Sequence, residues 1–128
     1  MANVTALLNV RLGGGLGFSN QQPKGDIMKQ LMVVHLPHKP FNAAVKDGSI
    51  GAKINRILEA NKPEAVYFTE QCGQRTAILL VNLPDASAVP VLAEPWFLTF
   101  EADVHFQIVM SPDDLKKSGI DDLGKKWG

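Results

Sequence analysis

The chain has 128 residues, 45% apolar and 20% charged, with 13 basic and 13 acidic side chains and no formal net charge. A chain of this length makes one domain and removes roughly two-thirds of its unfolded surface from water, so a core needs neither metal nor disulfide. Neutrality, with a pI near 6.8, denies it the positive field that nucleic acids and anionic membranes select, so neither is an expected partner.

The one cysteine, Cys72, cannot close an intramolecular bridge, which fits a reducing compartment. The amino-terminal apolar run is short, lacks a preceding basic residue and is broken by Asn9 and Arg11, a poor secretory signal. No apolar stretch approaches the ~18 residues of a membrane span. The expected location is cytoplasmic.

Residues 1–27 carry a glycine cluster (Gly13, Gly14, Gly15, Gly17) and no sustained periodicity. The glycines do not complete a phosphate loop. Gly-Lys-Ser/Thr is absent after the spacer, and Phe18 stands where a dinucleotide fold needs its third glycine. No cofactor is therefore expected. The segment predicts a disordered or loosely packed leader ahead of a domain over 28–128. A start codon placed too far upstream would explain it, because Lys24-Gly25-Asp26-Ile27 can be encoded by a purine-rich run resembling a ribosome-binding site before Met28.

Residues 29–36, KQLMVVHL, form a nearly continuous apolar run of strand length ended by Pro37 and Pro40. Helical spacing follows over 41–61, with Asp47-Gly48-Ser49 predicting a short helix that stops at the glycine and a longer one capped by Ser49. EAVYFTE (64–70) and RTAILLVNL (75–83) flank Gln71-Cys72-Gly73-Gln74, which is hairpin chemistry, so they should pair antiparallel. Asp85 or Ser87 can cap a further helix through Leu92 and Ala93, with Pro95 limiting its far end. Residues 102–110 alternate, with Val104, Phe106, Ile108 and Met110 on one face and Asp103, His105 and Gln107 on the other. Ser111-Pro112-Asp113-Asp114 predicts a short helix ending near Gly119, and the tail to Gly128 sets Leu123 and Trp127 among charges.

The expected fold class is thus α+β. The order is βαββαβ with a terminal helix, the split βαβ motif of the ferredoxin-like fold: a four-stranded antiparallel sheet, order 4-1-3-2, with two helices on one face. The first strand is apolar on both faces, so the open face would expose Leu31 and Val33, which favours burial against a second copy.

KQLMVVHLPHKPF, NKPEAVYFTE, RTAILLVNL, LAEPWFLTF and ADVHFQIVMSPDDL together resemble small uncharacterised bacterial proteins of the dimeric α+β barrel superfamily, including domains of unknown function. The resemblance implies a homodimer that pairs two ferredoxin-like sheets face to face. The superfamily includes cofactor-free oxygenases, isomerases, haem-handling enzymes and members without demonstrated activity, and none of these motifs is a catalytic signature. Function by this route is fold-level analogy.

The topology gathers His35, Glu70, Arg75, Asp103 and His105 at one end of the sheet. A histidine tuned by a carboxylate suits a general base near neutral pH, and Arg75 suits the anionic group of a small substrate. Polar strand ends satisfied by backbone or by ion pairs look the same in sequence. Three histidines without ligand spacing make no metal site. Trp96 and Phe97 could line a pocket for a flat apolar ligand, or could be core. Two function classes follow. One is a homodimeric module that binds an apolar or carboxylated small molecule through Glu70, Arg75, Asp103, Trp96 and Phe97. The other is a cofactor-independent isomerase or monooxygenase with His35 or His105 as base.

Overall fold

The computed structural model describes residues 28–128, so the expected leader over 1–27 lies outside the described residues. Four strands form one antiparallel sheet: β1 (Met28–Leu36), β2 (Ala65–Gln71), β3 (Gln74–Leu83) and β4 (Asp103–Ile108). The neighbour order is β2-β3-β1-β4, which from the β4 edge reads 4-1-3-2. The chain adds helices α1 (His38–Asp47) and α2 (Ile50–Asn61) between β1 and β2, and α3 (Ala88–Phe100) between β3 and β4. After β4 come α4 (Pro112–Lys117) and α5 (Ile120–Trp127).

Strand pleating splits the central strands into two sets. Met32, Val34 and Leu36 of β1 and Ala77, Leu79 and Val81 of β3 meet Ala44, Ile57, Leu92, Trp96 and Phe100 of the helices in one core. Leu31 and Val33 of β1 and Ile78 and Leu80 of β3 fall on the opposite, open face. Burial of the first set fixes the register, because a one-residue slip would exchange the two faces.

The β2–β3 turn is the expected hairpin. Cys72 and Gly73 both hold positive φ, 53° and 78°, which is the pairing a primed hairpin turn needs to follow the strand twist. Gly48 likewise ends α1 in the left-handed conformation, its N–H donating to the carbonyls of Ala44 and Val45.

Three expectations are corrected. Ser49 sits at the N-cap of α2 but makes no side-chain capping bond. Its backbone is helical, and Asp47 Oδ1 instead accepts from Ser49 N at 2.8 Å. Of the two candidates at the start of α3, Ser87 makes no side-chain capping bond, and it is Asp85 that accepts, from the backbone N–H and hydroxyl of Ser87. Pro95 does not limit α3, which runs five residues past it to Phe100. An internal proline costs roughly 3 kcal/mol through the lost bond to residue i−4. Here that residue, Val91, is exposed. Continuing the helix buries Trp96 and Phe100 completely, and each large apolar side chain returns about 1.5–3 kcal/mol.

At the carboxyl terminus Ser111 Oγ accepts from Asp114 N and Asp114 Oδ2 accepts from Ser111 N, both at 3.0 Å, completing a capping box. The tail beyond Gly119 is helical, as α5. From Met110 to Gly128 every residue except Gly119 is exposed. Among the described residues no helix is long and apolar enough to cross a membrane.

Candidate functional site

The end of β1, the start of β3, the end of β2 and the start of β4 meet at one edge of the sheet. Leu36 pairs with Arg75, and Arg75 with Glu70, while His35 pairs with Thr76 and with Asp103. The five polar residues singled out in the sequence do share this end. They do not share a face.

On the open face His35 lies directly across from Asp103 and diagonal to His105, and the two imidazoles stand 5.3 Å apart between centroids. Nε2 of His35 is 2.7 Å from Oε1 of Gln71. With the amide oxygen as acceptor, Nε2 is the donor of this bond. Thr76 lies beneath this bridge, fully buried, its hydroxyl donating to the carbonyl of Gln74. Nothing in the sequence marked Gln71, because its role depends on reach across β3.

Arg75 projects from the other face. It is half-buried, with its guanidinium carbon 4.4 Å from the centroid of the Phe41 ring and Nη1 donating to Asn42 Oδ1 at 2.8 Å. Phe41 in turn packs on Phe100 at 5.6 Å and Phe100 on Trp96 at 6.3 Å, so α1 and α3 hold the guanidinium in place. Glu70, its cross-strand neighbour, accepts from Gly73 N at 2.9 Å instead. Among the described residues the one ion pair is Lys29–Glu64, at the far end of the sheet. Arg75 is thus a preoriented cation with unused donors and no carboxylate partner among the described residues.

The guanidinium opens into a cleft of about 300 Å³ lined by Leu36, Phe41, Phe68, Thr69, Arg75 and Thr76. Phe68 is exposed on the edge strand β2, at the mouth. Phe41, Asn42 and Phe68 were not foreseen as site residues, since the sequence offered them only as apolar or polar positions of a helix and a strand.

Trp96 and Phe97 point apart. Trp96 is fully buried with its indole Nε1 donating to Asn61 Oδ1 at 2.8 Å, whereas Phe97 is exposed on the outer side of α3. Neither lines the cleft, and the shared aromatic pocket proposed from their adjacency does not form. Cys72 is exposed at the hairpin turn. Among the described residues no cluster of three or more His, Cys, Asp and Glu side chains could hold a metal ion. No protein-family model, no curated protein and no solved structure matches the chain.

Proposed function

We propose that the protein is a homodimeric, small-molecule-binding domain of ferredoxin-like topology whose ligand is an apolar carboxylate. The observation that carries the reading is Arg75: a half-buried guanidinium, fixed by Phe41 and Asn42 and unpaired with any acidic side chain of the described residues, at the mouth of an apolar cleft. A planar fork of donors beside aromatic walls suits a carboxylate with a hydrocarbon body. Leu36 and Phe68 would receive the hydrocarbon and Arg75 the charge. The homodimer reading rests on the open sheet face, whose centre is Leu31, Val33, Ile78 and Leu80 and which no helix of the core layer covers.

Titration with benzoate, and with benzamide as its neutral isostere, tests the site by calorimetry. Benzoate binding with benzamide at least tenfold weaker is expected. Arg75→Gln should weaken benzoate by roughly 10- to 100-fold, the worth of a charge-assisted pair. Equal binding of acid and amide, or an Arg75→Gln variant that binds as the native chain does, would dispose of the proposal.

A second reading, a cofactor-independent isomerase or monooxygenase, is favoured by the His35–His105 pair with Asp103 beside it. It would use the open face and do without Arg75, because the two lie on opposite sides of the sheet.

A further inference from the structure

The segment from Met110 onward is an arm that the other described residues leave exposed. Its helices are six and eight residues long and pack on each other, and neither contributes a buried residue. Isolated helices below about 12–15 residues are marginal in water and take their stability from packing an apolar face. The arm has such a face. Ile120, Leu123 and Trp127 fall at i, i+3 and i+7 of α5 and are 50%, 46% and 77% exposed. The capping box at Ser111 and the αL glycine at Gly119 fix the arm's path, so its stripe is presented rather than left to coil.

Among the described residues no surface covers this stripe. Polyanions are poor candidates, because the polar side of α5 carries Asp121 and Asp122 against Lys125 and Lys126 and the whole chain is neutral. The arm leaves from β4, an edge strand, and so begins at the border of the sheet face opposite the helices of the core. We infer that it crosses to a second copy of this chain and packs Ile120, Leu123 and Trp127 against the rim of that copy's open face, each protomer clamping the other. This rests on the homodimer reading given above.

Area supports the assignment. The apolar side chains of one arm leave on the order of 400 Å² to be covered, and two reciprocal arms with the surface they cover reach ~1,600 Å², the scale of a standard interface. Two sheet faces paired without arms would leave Trp127 in water on both copies.

Sedimentation equilibrium of the full chain, its Leu123→Asp/Trp127→Ala variant and an open-face variant, Ile78→Lys, tests this. The arm variant should keep the native circular dichroism of the core and raise the dimer dissociation constant by roughly 100-fold. In the native chain, acrylamide quenching of Trp127 should fall as concentration rises, against the constant background of buried Trp96. If Ile78→Lys dissociates the dimer while the arm variant stays within twofold of native, the arm inference fails and the homodimer stands. A native chain that is monomeric throughout overturns both. Quenching that ignores protein concentration but falls with vesicles of anionic phospholipid gives the arm to a membrane and overturns the inference.

Discussion

Asn61 and Trp96 form the polar joint of an otherwise apolar core. Asn61 ends α2, is buried, accepts from the indole of Trp96 and donates from Nδ2 to the carbonyl of Leu92 at 3.3 Å. Both ends of one amide thus tie α2 to α3. Asn61→Leu would strand the indole N–H and should cost about 1–3 kcal/mol in urea unfolding. Adding Trp96→Phe removes the stranded donor, and although it leaves a void of its own, the double variant should be less destabilised than the sum of the singles. Strict additivity would mean that the bond is energetically idle. The sequence made Trp96 legible as an apolar residue with a polar tip, but not its partner, because an asparagine at the end of a helix reads as a cap or a turn residue. Arg75 was legible as a cation at the right end of the sheet. Its face was not marked among the site residues, and Phe41 and Asn42 acquire meaning only once α1 is laid beside β3.

At the scale of elements the sequence was most readable where one periodicity had no rival. β4 was found through the alternation of Val104, His105, Phe106 and Gln107, and the hairpin through Cys72-Gly73. Failures came where local chemistry competed with packing. Ser49 and Ser87 have the right side chains for caps, yet both hold helical backbone and make no capping bond, and Asp47 and Asp85 accept from their N–H groups instead; Pro95 is a breaker overruled by the burial of Trp96 and Phe100. The polar ties between elements set an acid dependence. Glu64 joins the starts of β1 and β2 to the end of β3, accepting from Lys29 Nζ at 2.7 Å and Asn82 Nδ2 at 3.1 Å. These bonds, Lys29 first, hold its carboxyl below the ordinary glutamate value. Hydrogen bonds from Ser49 lower Asp47, and those from Ser111, its backbone N–H first, lower Asp114. A carboxyl depressed on folding stabilises fully above its unfolded value, and that contribution is lost as pH falls through the folded one. Urea midpoints should therefore hold steady above about pH 5 and decline between about pH 5 and pH 2. Glu64→Gln should decline less steeply over the same interval. A variant as acid-sensitive as the native chain would show that the Lys29–Glu64–Asn82 tie is not what titrates.

The whole molecule is a sheet with two unlike faces, and each carries a different candidate role. The helix face holds the core and, at its open end, the Arg75 cleft; the other face holds the apolar strip and the His35–His105 pair. A ligand in the cleft and a second copy on the strip would meet opposite sides of the same four strands. Coupling between two binding events requires that each bias the same structural equilibrium, and a sheet packed to crystal-like density offers little slack to carry one. Benzoate affinity should then be the same in the Ile78→Lys variant as in the native chain, within about twofold, even where Ile78→Lys dissociates the proposed dimer. Dimerisation itself should appear in the unfolding curve, with stability rising by about 1.4 kcal per mole of dimer for each tenfold increase in protein concentration in the native chain and not in the variant. Calorimetry of benzoate binding to both proteins, beside thermal unfolding at two concentrations, reads the two faces separately. Should Ile78→Lys lose benzoate along with the dimer, the ligand sits between the sheets. His35, His105 and Asp103 would then inherit the site from Arg75, and the reading as a histidine-based enzyme would move ahead of the binding domain.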